Sequence, residues 1–164
     1  MSYRGVHFAI TDADLASLLR ASSDRELLGF ISDNIEERWD GEWLAQTDKA
    51  WDAIHRCLTD GRLQYDSGED PLRLCILGGK QLYRGDDYVV SLKEPEQCAE
   101  IANALAAIDA GWLRSRYFAI EPSDFGRNPS EEDFEYTWGW FSSLPRFYAK
   151  ASMARRHVIF TVDL

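Results

Sequence analysis

Hydrophobic and polar positions along the chain change period several times, and each change marks an expected element. Residues 3–10 end in Val6-His7-Phe8-Ala9-Ile10, where alternate apolar positions predict a strand. Thr11 and Asp14 then have the spacing of a capping box, opening a helix with Leu15, Leu18 and Leu19 as its stripe. A second helix is expected over 24–38, on the spacing of Leu27, Leu28, Ile31 and Ile35. Asp40-Gly41 breaks the pattern, and Thr47 is expected to cap a third helix whose apolar side carries Trp51, Ile54 and Leu58. Beyond the polar loop Asp66–Pro71, the run Leu72–Leu77 reads as a central strand ended by Gly78-Gly79.

Tyr88–Leu92 predicts the next strand, and Pro95 suits the first turn of a helix packed through Ile101, Leu105 and Ile108 as far as Gly111. From Trp112 to Pro129 the pattern fades; it leaves room for a short helix, but Pro122, Gly126 and Pro129 argue for an irregular crossing. Ser130 then caps a long aromatic helix carrying Phe134, Trp138, Phe141 and Tyr148, which Pro145 should kink or split. His157–Val162 closes as a strand. No repeat or linker interrupts the 164 residues, so a single domain spanning 1–164 is expected. The element order lacks regular β-α alternation and predicts an α+β fold, a small mixed sheet packed with several helices around a single core layer.

These residues also resemble the YfbM-like family of uncharacterised bacterial proteins. The resemblance rests on Asp48-Lys49-Ala50-Trp51 with Ile54-His55, on Ile76-Leu77-Gly78-Gly79, and on Tyr88-Val89-Val90 leading into Leu92-Lys93-Glu94-Pro95-Glu96-Gln97. Phe147-Tyr148 ahead of the final strand extends it. Residues 117–130 and Pro145 depart from the pattern. The resemblance implies an α+β fold and brings no established activity, cofactor or catalytic set.

Charge narrows the partners. Twenty-eight acidic against 18 basic side chains give a net charge of −10, which disfavours nucleic acid and anionic membrane surfaces and is compatible with a basic protein partner. Three cysteines, Cys57, Cys75 and Cys98, without C-x-x-C spacing suit a reducing cytoplasm. Neither a secretory leader nor a membrane span is expected from the N-terminal pattern and the apolar run lengths.

The strongest candidate chemistry is the stripe Asp48, Asp52 and His55 beside Trp51, at i, i+4 and i+7 if one helix carries all of them. A carboxylate beside an imidazole can set its tautomer for acid-base work, and the three side chains are metal-ligand types. The same residues have plain structural roles: Asp48 near a helix start, Asp52 with Arg56 as a pair worth about 0.3–0.5 kcal/mol, His55 bonded at a packed edge. No nucleophile-turn or zinc pattern accompanies them, and neither metal nor cofactor is expected. Gly78-Gly79-Lys80 reads as a tight turn in preference to an anion cradle, lacking the strand-loop-helix context of one. Arg146, Lys150, Arg155 and Arg156 form a basic cluster that answers the acidic run Glu131-Glu132-Asp133, within the fold or across an interface. Three readings remain open: a small interaction or accessory protein without catalysis, of immunity type in one version; an enzyme or small-ligand binder with a cleft near Trp51, Asp52 and His55; and a homo-oligomer joined through the aromatic helix.

Overall fold

Five strands meet in one sheet in the order β2-β1-β5-β4-β3, in a computed structural model that describes residues 3–164. They are β1 (Gly5–Ile10), β2 (Leu44–Asp48), β3 (Lys80–Gln81), β4 (Tyr88–Lys93) and β5 (His157–Asp163). Every pairing is antiparallel, a correction to the mixed sheet expected from sequence. The last strand inserts between β1 and β4 and runs against both, so no parallel neighbour arises.

The α+β class holds, but the sheet is covered on both faces and the expected single core layer is two. One face presents Phe8, Ile10, Val90, Leu92 and Ile159 to Leu18 of α1 (Asp12–Arg20), to Leu27 of α2 (Asp24–Phe30) and to Ile31 and Ile35 beyond it. The other presents Ala9, Val89, Val158, Phe160 and Val162 to the remaining helices. Phe8-Ala9-Ile10, Val89-Val90 and Val158-Ile159-Phe160 are apolar at successive positions, the pattern of strands buried on both sides.

Local chemistry explains most boundaries. Thr11 and Asp14 form the reciprocal capping box of α1, and Ser23 caps α2, which widens into a π-helical turn over Ile31–Glu36. After Pro95 at its start, α4 (Pro95–Ala106) stops short of Gly111, and the faint region beyond holds α5 (Ala110–Phe118), capped by Asp109, and α6 (Pro122–Phe125), ended by Gly126 at φ +78°. Ser130 caps α7 (Glu131–Phe141). Pro145 splits the aromatic helix as its chemistry requires, falling in the first turn of α8 (Leu144–Met153), where no intrahelical N–H is needed.

Two further expectations fail. Thr47 caps no helix: it lies in β2, its Oγ1 donates to the Gly5 carbonyl at 3.1 Å, and α3 (Trp51–Leu58) begins one turn later. Leu72–Leu77 is not a strand either. Leu72–Leu74 is a 3-10 turn, and short-range bonds from Arg73, Leu74 and Cys75 to Glu69, Pro71 and Leu72 use its amides locally. A short apolar run looks alike as strand or core plug, and here Leu74–Leu77 plugs the core, each at most 3% exposed. Among the described residues, no helix is long and apolar enough to cross a membrane.

Candidate functional site

Because α3 starts at Trp51, the four sequence-selected side chains do not share one helical stripe. Asp48 stands before the helix at φ +46°, accepts the Tyr136 hydroxyl from α7 and pairs with Arg4 at 3.2 Å. Trp51 is buried, with its indole N–H on the Tyr3 carbonyl at 2.9 Å and its ring 6.0 Å from that of Phe160. Asp52 accepts Arg56 Nε at 2.6 Å, the i, i+4 pair expected from the spacing. Among the described residues no side-chain hydrogen bond joins any two of the four.

Arg56 turns the Asp52 pair into a clamp. With its side chain 5% exposed, the guanidinium also donates to the Asp124 carboxylate at 2.5 Å and to the Gly61 carbonyl at 3.2 Å, tying α3 to α6 and to the loop that follows α3. Its cation lies 5.3 Å from the Phe125 ring centroid. Arg116 completes the end of α3 by donating to the Cys57 and Thr59 carbonyls at 3.1 and 2.5 Å. Substituting Arg56→Met keeps the apolar stem but removes its bonds to two partly exposed carboxylates and to the Gly61 carbonyl, so a loss of about 1–3 kcal/mol is expected. Urea unfolding of Arg56→Met beside Asp124→Asn measures it, and a loss below 1 kcal/mol in the former would remove the clamp from the account.

His55 is buried, and its Nε2–H donates to the Gln64 carbonyl at 2.7 Å. Ser67 Oγ approaches the same nitrogen at 3.5 Å but donates to the Gln64 and Arg62 carbonyls. With Nε2 carrying its proton toward Gln64, it has no lone pair to receive the serine proton, and Nδ1 is buried without a partner. Burial lowers the imidazole pKa to about 4, against the opposing pull of the Gln64 carbonyl, so the ring is neutral near pH 7.

A second polar group, which the sequence reading missed, lies at the centre of the molecule. Lys93 is fully buried at the end of β4, and its ammonium donates to Ile76 O at 2.6 Å, to Ser91 O at 3.4 Å and to Ser91 Oγ. Ser91 Oγ in turn donates to Ile76 O at 2.9 Å. Beside them His7 Nε2 and the Tyr148 hydroxyl both donate to Cys75 O, at 2.7 and 2.5 Å. Gln81 supplies the next donor, to Leu77 O at 2.7 Å. These bonds satisfy the carbonyls of the plug that a neighbouring strand would otherwise have satisfied. Burial lowers Lys93 to about 7; burial, then the nearby Lys93, lower His7 to about 3. Burial raises all three cysteines to about 12, so they are thiols at neutral pH. The alternation in Tyr88–Lys93 was the available signal: it places Ser91 and Lys93 on the face of Val89, toward the core.

Among the described residues, no group of three or more His, Cys, Asp or Glu side chains is placed to hold a metal ion. Two concavities lie elsewhere, along α8 and the edge strand β2, with volumes of about 500 and 570 Å³.

An antiparallel five-stranded sheet between two helical layers, locked by buried donors onto an irregular plug, defines an α+β class of domain in which His7, His55, Lys93 and the three cysteines are internal. The chain belongs to the DUF1877 family, a domain family of unknown function, whose model matches residues 1–161. It is 30% identical over 112 residues to protein YfbM of Escherichia coli strain K12, an alignment covering 68% of this chain and 64% of that protein. The crystal structure of YfbM from Escherichia coli, described as a protein of unknown function, superposes with a TM-score of 0.71 at 21% identity. That superposition covers 97% of this chain and 99% of the other, and it establishes the common fold.

Proposed function

We propose that the chain is a small interaction protein, without catalysis of its own, that works by holding a protein partner at its surface. The observation that carries this reading is the placement of its reactive side chains. His7, His55, Lys93 and the three cysteines are buried, and the two imidazoles and the amine donate to main-chain carbonyls. A proton-transfer group needs a path to substrate and a pKa near the working pH; His55, held neutral against Gln64, favours the packing role. The net charge of −10 supports long-range attraction of a cationic protein, and neutralisation of a basic toxin is one form such an encounter takes.

Native mass spectrometry of the protein purified gently from its own host, at two ionic strengths, tests the reading. A stoichiometric protein partner that dissociates as salt rises is expected. His55→Ala is expected to lower the melting temperature, at a cost of about 1–3 kcal/mol for the lost bond and packing, while the partner stays bound. A co-purifying small molecule or an activity abolished by His55→Ala in a folded protein would replace this reading with the cleft near Trp51, Asp52 and His55.

A further inference from the structure

The acidic excess of the chain is interrupted along one side of α8. There the two concavities adjoin, sharing Arg146 and Lys150, and together form an open furrow. One wall is the edge strand β2 at Leu44, Ala45 and Gln46; the other is α8, with Met153 at its C-terminal end and Trp140 of α7 just ahead of its start.

Three independent features converge on it. First, β2 ends the sheet, and among the described residues no hydrogen bond reaches its outer edge between Leu44 and Gln46. An open strand edge is a template for another strand. Second, the basic cluster does not answer the acidic run within the fold. Glu131 pairs with Arg114, and Asp133 with Arg127 and Tyr117. Arg146 is exposed and, among the described residues, has no carboxylate partner. Lys150 pairs with Glu42 at 3.3 Å and lies 4.5 Å from the Trp43 ring centroid, over which Arg156 also stacks at 3.6 Å. Third, the furrow offers apolar contact: Met153 is 86% exposed, and Trp43 and Trp140 are half-buried beside it.

We propose that this furrow receives a short, extended acidic segment of a protein partner that is cationic elsewhere, added to the outer edge of β2 as a sixth strand. Its carboxylates meet Arg146 and Lys150, and its apolar side chains lie against Trp140 and Met153. The ten residues of α8 run about 15 Å at roughly 1.5 Å per residue, enough for about four residues of extended chain. Charge selects the occupant. A second copy would bring its own net charge of −10 against this one, and a nucleic acid would meet the same repulsion beyond the furrow. A short acidic strand meets the local cations at close range and takes its main-chain bonds from β2. This inference rests on the interaction-protein reading and names the surface and the chemistry of what it holds.

The test is an NMR titration of the full chain, isotope-labelled, with an eight-residue peptide alternating glutamate and valine, beside matched peptides carrying lysine or glutamine in place of glutamate. The expected result is amide shifts confined to Leu44–Gln46 with indole shifts at Trp43 and Trp140, for the glutamate peptide alone. Arg146→Glu, an exposed site whose change leaves the fold intact, should weaken binding at least tenfold, and Arg146→Glu with Lys150→Glu should begin to bind the lysine peptide. Absence of shifts at β2, equal binding by Arg146→Glu, or seating of the lysine peptide in the unaltered furrow would overturn the proposal. So would concentration-dependent dimerisation through the same amides, which would make the occupant a second copy. If the peptide fails while the native complex survives, the furrow is wrong and the interaction reading stands; if no complex exists, that reading falls on its own test.

Discussion

Replacing Gly79 by alanine is expected to produce the largest loss of stability of any single methyl added to this chain, about 2–6 kcal/mol. The residue sits at φ +109°, and a Cβ there would lie 2.4 Å from the Leu92 carbonyl oxygen. That oxygen belongs to β4, which is paired on both sides and cannot retreat. Backbone strain at such a φ costs about 1–3 kcal/mol, and overpacking typically about 1–3 kcal/mol more. Against a total stability of about 5–15 kcal/mol for a domain, this approaches unfolding. Gly29→Ala and Gly139→Ala, whose added methyls meet nothing within 4 Å, provide the control and should be neutral or stabilising by up to about 1 kcal/mol. Urea midpoints at unchanged m-value measure all three, and a loss under 1 kcal/mol for Gly79→Ala would show that the turn yields.

The second large effect is expected from Lys93→Met, and its size should depend on pH. In the folded chain Lys93 titrates near 7, against about 10.4 unfolded. Between those values the unfolded chain binds a proton that the folded chain lacks, so folding stability rises with pH by up to about 1.4 kcal/mol per unit from this group. Below about pH 7 the ammonium is buried with only neutral partners, Ile76 O and the two Ser91 oxygens, and the full penalty is present. Methionine fills similar volume, and Ile76 O keeps its bond from Ser91, so the plug carbonyl that Lys93 meets most closely stays satisfied. The variant should therefore be at least as stable as the parent at pH 6–7 and lose that advantage steadily by pH 10. The difference between the two chains is the quantity to plot. In the parent alone, the three cysteines, raised to about 12 by burial, oppose the rise above about pH 8.5. At the acid end His7 and His55, lowered to about 3 and 4, remove stability as pH falls through about 6.5. A pH-independent difference would show that Lys93 carries no such burden.

Most of the frame was legible where one physical signal dominated. Capping residues Thr11 and Ser130, Pro95 at a helix start and Pro145 at a break all act through the adjacent backbone, and the structure places them as the sequence implied. The errors came where the deciding partner is remote. Thr47 has the chemistry of a cap, yet its hydroxyl goes to Gly5, 42 positions away. Leu72–Leu77 has the hydrophobicity of a strand, but the sheet position beside β4 is taken by Lys80–Gln81, and the run is held by side chains from elsewhere. Of the candidate site, the Asp52–Arg56 pair was readable from spacing; its extension to Asp124 was not, because α6 lies 68 positions downstream in the region of weakest pattern. Lys93 was passed over because a lysine after an apolar strand ordinarily ends at the surface.

The side-chain bonds that hold the plug have a kinetic corollary. Its carbonyls at Cys75 and Ile76 are met from β1, β4 and α8, and the His7 and Tyr148 bonds span 68 and 73 positions. Such long loops close only after the flanking scaffold has formed, so residues 74–77 should be absent from the folding nucleus. Substitutions there would then accelerate unfolding and leave the refolding rate nearly untouched, making this buried stretch the latch that sets how long the native state lasts.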